Sequence, residues 1–121
     1  MGEKEVDTVF FDYLTAISNL GAFLLEICEE VLDLPKSRLL DNYDSKGAII
    51  DALFYEKTPA GMWGTKSHYD NCMMTILKQD LTGGLEIKHE GEWYPVKSME
   101  NCFSVNFGTL MEHFSGGRVN G

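Results

Sequence analysis

The stretch of sequence that decides the fold is Thr65-Lys66-Ser67-His68-Tyr69-Asp70-Asn71-Cys72-Met73-Met74-Thr75-Ile76-Leu77. We interpret residues 66–78 as a β-strand, one of several short β segments in the second half of the chain. Side chains alternate between the two faces of a strand, so we expect His68 and Asp70 to share one face and Tyr69 to point away.

An imidazole nitrogen and a carboxylate oxygen on the same face can occupy adjacent positions on one metal ion. A second histidine from another strand would complete a 2-His-1-carboxylate set, and iron(II) suits that mixture of nitrogen and oxygen ligands. The short pattern His68-x-Asp70 is weak evidence by itself, because a histidine and an aspartate on a solvated strand face give the same spacing.

The sequence on either side predicts one helix followed by a β-rich body. Apolar residues at helical spacing predict an amphipathic helix over residues 7–32, which Pro35 ends because proline lacks the amide that a helix needs. Residues 42–47 predict a turn and residues 48–55 a strand. Further β segments are predicted at about residues 84–88, 92–97, 101–107 and 109–114. The helix is expected to cover a face of the sheet.

The order and spacing of several blocks over about 65 residues resemble the isopenicillin N synthase-like, 2-oxoglutarate- and Fe(II)-dependent dioxygenases. The blocks are His68-Tyr69-Asp70, Met74-Thr75-Ile76-Leu77, Gln79-Asp80, Gly83-Gly84-Leu85-Glu86-Ile87, Gly91-Glu92-Trp93, Val96 and Phe103-Ser104-Val105-Asn106-Phe107-Gly108.

The resemblance implies an α+β, mainly β fold. Its core is an incomplete double-stranded β-helix, or jelly roll, and one long N-terminal amphipathic helix backs it. Residues 1–35 would form the backing helix, and residues 36–121 a partial jelly-roll oxygenase core. Together they make a single domain truncated at both ends.

The same resemblance implies that His68 and Asp70 hold Fe(II), and that Tyr55 lies near 2-oxoglutarate or the substrate. The family pattern around Tyr55 is altered, with Leu53, Glu56 and Lys57 at neighbouring positions, so a buried core tyrosine is the competing interpretation. The family's distal histidine and the residues for the far carboxylate of 2-oxoglutarate are expected beyond the end of the chain.

The function implied is an Fe(II)- and 2-oxoglutarate-dependent oxidoreductase that oxidises a small-molecule substrate once the domain is complete; the chain alone is expected to be inactive. Its unpaired sheet edge would be completed by a missing segment, a second copy or another subunit. Two alternatives stay open: a non-catalytic jelly-roll interaction or oligomerisation module, and a cupin-like binder in which His113 joins His68 and Asp70 on a metal.

Composition limits the partners. The formal net charge of -9 disfavours nucleic acid and anionic membrane surfaces, and no uninterrupted apolar run approaches the roughly 20 residues that cross a bilayer. The three cysteines, Cys28, Cys72 and Cys102, lack Cys-x-x-Cys spacing, which favours a reducing compartment. A cytoplasmic location is therefore predicted.

Overall fold

The computed structural model describes residues 3–43 and 48–121. The chain divides into two compact units, one ending at Tyr69 and one running from Asp70 to Gly121. The regular elements of the described residues are α1 (Glu3–Val31), a 3-10 turn (Leu40–Asn42), β1 (Met74–Leu77), β2 (Glu86–His89), β3 (Glu92–Pro95), β4 (Ser104–Phe107) and α2 (Thr109–Ser115).

The predicted N-terminal helix is confirmed as α1, and a left-handed residue ends it. Asp33 has φ +48, its amide donates to the Glu30 carbonyl at 3.2 Å, and the Leu34 amide donates to the Glu29 carbonyl at 2.9 Å. These two bonds form a Schellman-type C-cap, which satisfies carbonyls that the last helical turn leaves without partners.

The buried side of α1 packs against the segment that follows it. Leu25 is 2% exposed and Leu39 is fully buried. The carboxylate of Glu29, a residue only 5% exposed, accepts the backbone amides of Ser37 at 2.9 Å, Leu39 at 2.6 Å and Leu40 at 3.2 Å. One acidic side chain therefore fixes the path of the chain after the helix.

Two opposing effects act on the pKa of Glu29. Burial disfavours the charged form and raises the pKa, whereas the amides of Leu39, Leu40 and Ser37 stabilise the carboxylate and lower it. The net result is a pKa below the ordinary glutamate value. The carboxylate is thus held ionised in a position where an unpaired charge would be costly.

Much of the apolar surface of α1 is exposed, including Phe11 at 69% and Val31 at 77%. By length and composition the part of α1 from Glu5 to Val31 could cross a membrane, a property that the sequence analysis did not identify. A single such helix near an N-terminus is weak evidence, since core helices and signal sequences meet the same criteria. The absence of a membrane partner stays a prediction.

The second unit contains two antiparallel strand pairs. In the β1–β4 pair, Thr75 lies opposite Asn106 and Ile76 lies opposite Val105. The β2–β3 pair is a hairpin, closed by Glu90 at φ +50 and by Gly91 at φ +91. Positive φ at both central residues is the geometry of the tight hairpin turns that match strand twist.

The predicted strand over residues 109–114 is wrong, because this segment forms the helix α2. Met111 is fully buried and Ser115 is 2% exposed, whereas His113 between them is exposed. A strand would place all three side chains on one face, and a helix does not. Gly116 ends the helix at φ +68, and its amide donates to the His113 carbonyl at 3.1 Å.

Two other strand predictions need correction. Residues 48–55 pair with no strand in the part of the chain that the structure describes, and Ile49 and Phe54 are 84% and 88% exposed. The strand expected over residues 66–78 is confined to β1, because only these residues pair with β4. Trp63, 56% exposed, lies between these segments. Residues 44–47 of the predicted turn are outside the described ranges.

The described residues form a mixed helix-and-strand structure with small antiparallel sheets. The strands predicted near 84–88, 92–97 and 101–107 are confirmed as β2, β3 and β4. The three cysteines are free thiols. The jelly roll, and the packing of the long helix on it, stay predictions.

Candidate metal centre

The backbone around Asp70 is held by the junction of β4 and α2. The amides of Thr109 and Leu110, in the first turn of α2, donate to the carbonyls of Asp70 at 2.9 Å and Cys72 at 3.2 Å. Gly108 lies so close that a Cβ there would sit 2.5 Å from the Asp70 carbonyl oxygen and 2.9 Å from the Cys72 nitrogen. Only a residue without a side chain permits this approach.

The Asp70 carboxylate is oriented by a cross-strand pair. Its Oδ2 accepts the Thr75 hydroxyl at 2.6 Å and the Asn106 side-chain amide at 2.9 Å. Thr75 on β1 and Asn106 on β4 are direct partners in the ladder. The carboxylate is therefore anchored to paired strands, although Asp70 itself lies outside them.

A thiol extends this network by one group. Cys72 Sγ lies 3.3 Å from Thr75 Oγ1. The only hydroxyl proton of Thr75 is donated to Asp70, so the thiol is the donor in this second contact. The hydrogen bonds run from Cys72 to Thr75 to Asp70.

His68 is an exposed residue in the unit that ends at Tyr69. Its Nδ1 lies 2.8 Å from the Lys66 carbonyl oxygen. A carbonyl can only accept, so this contact is a hydrogen bond only when Nδ1 is protonated, and Nε2 is then the nitrogen with the lone pair in the neutral ring. Metal-binding histidines commonly use this arrangement, in which a backbone carbonyl holds the second nitrogen.

His68 and Asp70 precede the first strand, so strand alternation does not place their side chains on one face. β1 begins at Met74, so neither residue lies in a paired strand, and the chain from 66 to 71 is irregular rather than helical. Their assignment as iron ligands stays a prediction. The assignment is based on their sequence spacing and on the hydrogen bonds that orient each side chain.

Tyr55 is 55% exposed, so the competing interpretation of a buried core tyrosine is not what the structure shows. The predicted contact of Tyr55 with 2-oxoglutarate or substrate stays a prediction.

Within residues 3–43 and 48–121, neither of the other histidines belongs to a group of three or more His, Cys, Asp or Glu side chains that could hold a metal ion. His89 is the last residue of β2 and is exposed, with its ring centroid 6.4 Å from that of Tyr94. His113 lies on α2 rather than on the predicted strand, in edge-on contact with Phe114 at 5.8 Å.

The donors present fit iron(II) in kind. A neutral imidazole nitrogen and an ionised carboxylate oxygen are two of the three donors of a 2-His-1-carboxylate set. Over residues 3–43 and 48–121, no group of three or more His, Cys, Asp or Glu side chains could hold a metal ion.

Sequence reasoning did not identify Thr75, Asn106 or the close approach at Gly108 as parts of the site. Thr75 stands between the apolar Met74 and Ile76, an alternation that would have placed its hydroxyl on the polar face of β1. Pairing it with Asn106 also requires the register between two strands about 30 residues apart, and no turn between them sets that register directly.

Comparison with known proteins places the chain among oxygenases. Residues 39–120 match the model of the 2OG-Fe(II) oxygenase superfamily. The chain is 32% identical to 1-aminocyclopropane-1-carboxylate oxidase homolog 3 of Arabidopsis thaliana over 86% of its own length and 29% of that protein.

Two further relatives have different activities in their names. Deacetoxyvindoline 4-hydroxylase of Catharanthus roseus is 30% identical over 86% of this chain and 26% of the relative. Gibberellin 20 oxidase 1-D of Triticum aestivum is 27% identical over 95% of this chain and 32% of the relative. The chain thus spans about three tenths of the length of these proteins. No solved structure matches it.

Proposed function

The chain belongs to the 2OG-Fe(II) oxygenase superfamily, and from this membership we propose that it supplies the iron-holding segment of an oxygenase that oxidises a small-molecule substrate. The family resemblance predicted from the sequence is confirmed. The family uses Fe(II) as cofactor and 2-oxoglutarate as cosubstrate. Two of the relatives named above are, by their names, a hydroxylase and an oxidase, which supports oxidation as the reaction class.

The observation that supports this function best is that hydrogen bonds already orient both candidate ligands. Asp70 accepts two side-chain hydrogen bonds on one carboxylate oxygen, and His68 presents Nδ1 to a backbone carbonyl. Both residues lie within the matched range 39–120. A carboxylate and a histidine in these states need little reorganisation before they bind a metal.

Each residue has a distinct role in the proposal. His68 donates the Nε2 lone pair and Asp70 contributes carboxylate oxygen and negative charge, while a second histidine completes the set. Tyr55 contacts the oxo-acid cosubstrate. When bound, Fe(II) supplies the redox chemistry by which oxygen is activated, and the protein supplies geometry and exclusion of water.

The architecture proposed for the whole protein is a jelly roll to which the β1–β4 and β2–β3 pairs contribute. Antiparallel pairing in both sheets is compatible with that fold. A cytoplasmic location is proposed on the strength of the three free thiols.

Anaerobic titration with Fe(II) tests the ligand assignment. The 121-residue chain is compared with His68→Ala, Asp70→Ala and the control His89→Ala, which removes an exposed histidine from the end of β2. We expect both ligand variants to bind Fe(II) at least about tenfold more weakly, which corresponds to about 1.4 kcal/mol, and the control to match the unmodified chain.

If His68→Ala and Asp70→Ala bind Fe(II) as well as the control does, the iron site is not where we propose it. That outcome would favour the second hypothesis, a non-catalytic module on the same fold, for which metal affinity has no dependence on these residues.

A further inference from the structure

Two side chains outside the proposed ligand set donate hydrogen bonds to the Asp70 carboxylate. We propose that Thr75 and Asn106 are positioning residues that fix this carboxylate for metal binding, an inference that rests on the proposed function of Asp70 as an iron ligand. Neither residue is proposed to touch the metal. Their role is to set the direction from which Asp70 binds it.

Convergence on a single oxygen supports this role. The Thr75 hydroxyl at 2.6 Å and the Asn106 amide at 2.9 Å both donate to Oδ2. Two donors on one oxygen restrict rotation about the Cβ–Cγ bond, and the plane of the carboxylate then determines where the lone pairs of Oδ1 point. Part of the entropy lost when a metal immobilises a side chain is thereby lost already on folding.

The donors are also suitable in charge. A hydroxyl and a carboxamide are neutral, so these two bonds orient the carboxylate without cancelling the negative charge that attracts a divalent cation. Hydrogen bonds to an ionised acceptor are stronger than those between neutral groups, and the 2.6 Å contact to Thr75 is at the short end of the range.

The two donors stand on paired strands, which makes the arrangement rigid. Thr75 and Asn106 are one of four residue pairs in the β1–β4 ladder, and the Cys72 thiol lies against the Thr75 hydroxyl at 3.3 Å. A displacement of either donor would require the ladder to move. A loop-borne donor would lack this restraint.

The test compares five variants of the full chain, the first being Asp70→Ala, with Mn(II) as the probe. This divalent ion accepts nitrogen and oxygen ligands and has a measurable paramagnetic resonance. Thr75→Val removes the hydroxyl at nearly constant volume, Thr75→Ser restores it, and Asn106→Ala removes the amide. Ser104→Ala is the matched control on β4, because the Ser104 hydroxyl accepts from Gln79 Nε2 at 3.1 Å, a bond that does not involve Asp70.

We expect Thr75→Val and Asn106→Ala each to weaken Mn(II) binding by about 10- to 100-fold, the range found when outer hydrogen-bond partners of metal ligands are removed. Thr75→Ser and Ser104→Ala should stay within about twofold of the unmodified chain. The unfolding midpoint is measured for every variant. If Thr75→Val does not fold, Asn106→Ala decides, because Asn106 is exposed.

The outcomes separate this inference from the proposed function. If Asp70→Ala loses Mn(II) affinity but Thr75→Val and Asn106→Ala keep it while their midpoints fall as in Ser104→Ala, the two residues are merely structural and the inference is overturned. If Asp70→Ala keeps full affinity, the proposed function itself is overturned, and the positioning role with it.

Discussion

Glu29 shows how one side chain organises a turn after a long helix. Its carboxylate lies where the chain leaves α1 and returns along it, and it accepts three backbone amides from residues 37–40. Backbone amides near a helix end need partners whether or not the protein has a function there. We therefore regard Glu29 as a structural residue.

Replacing Glu29 with Gln should destabilise the protein by about 1.5 kcal/mol at neutral pH. The amide keeps one acceptor oxygen and loses the charge, and hydrogen bonds to charged groups contribute about 1.5–3 kcal/mol each. The expected loss is at the low end because two of the three bonds are only partly buried and solvent screens them. Urea unfolding measures the difference. Glu26→Gln, an exposed site one turn earlier, should change the free energy of unfolding by less than about 0.5 kcal/mol.

Glu29→Gln should also change how the free energy of unfolding depends on pH. The folded pKa of Glu29 is lowered, so its stabilising effect is present above the unfolded glutamate pKa of about 4.3 and is lost as the pH falls through the folded value. The stability gap between the unmodified chain and Glu29→Gln should therefore shrink below about pH 4.3. A gap that widens in acid would contradict the assignment.

At the scale of elements, the decisive feature is the junction between β4 and α2. Gly108 is the last residue before the helix, with φ near -103, so left-handed freedom does not explain it. Close packing against the backbone of residues 70–72 does. The junction thus positions Asp70 through its main chain, as Thr75 and Asn106 do through its side chain.

Gly108→Ala should destabilise the second unit by about 3 kcal/mol or more, since overpacking typically costs 1–3 kcal/mol and here the added carbon meets backbone rather than a movable side chain. Thr109→Ala is the control, because it leaves the amide that bonds to Asp70 in place. Amide hydrogen exchange of β1 and β4 measures the effect. Unchanged protection in Gly108→Ala would show that the backbone of residues 70–72 can move to accept a side chain at position 108.

The elements that sequence patterns predicted correctly are those determined locally. The end of α1 and the β2–β3 hairpin follow from Asp33-Leu34-Pro35 and Glu90-Gly91, each of which sets its own turn. Residues 109–114 are predicted as a strand but form a helix. The segment between Gly108 and Gly116 is too short for strand alternation and helical spacing of apolar residues to be distinguished.

Spacing and resemblance name His68 and Asp70 as candidate ligands, an assignment that stays a prediction, whereas the side chains that donate to Asp70 could not be predicted from the sequence. The contact of Asp70 with Asn106 spans 36 residues, and it exists only through the register of β1 on β4. Long-range pairing of this kind depends on tertiary packing rather than on local preference.

At the scale of the whole molecule, charge is the dominant feature. The net charge is -9, and residues 5–31 of α1 contain six acidic and no basic side chains. Glu26 and Glu30 are four residues apart, a spacing at which like charges destabilise a helix by about 0.2–0.5 kcal/mol. Negative charge near the C-terminal end of a helix also opposes the helix dipole.

Chloride salt should therefore raise the unfolding midpoint. Most of the rise is expected between about 0.01 and 0.15 M, where the screening length falls from about 30 to 8 Å, and self-repulsion is reduced accordingly. Thermal unfolding followed by circular dichroism gives the midpoint. Glu26→Lys, which lowers the net negative charge by two, should flatten the dependence. A midpoint that falls with added salt would show that attractive ion pairs outweigh the repulsion.

The division of the chain at Tyr69 and Asp70 has an optical consequence. The protein contains two tryptophans, and they fall in different units: Trp63 precedes the division, whereas Trp93 lies on β3 with the Lys88 ammonium 5.8 Å from its ring centroid. Fluorescence from Trp93→Phe therefore reports only on the first unit, and fluorescence from Trp63→Phe only on the second. Each unit thus contains its own tryptophan fluorophore.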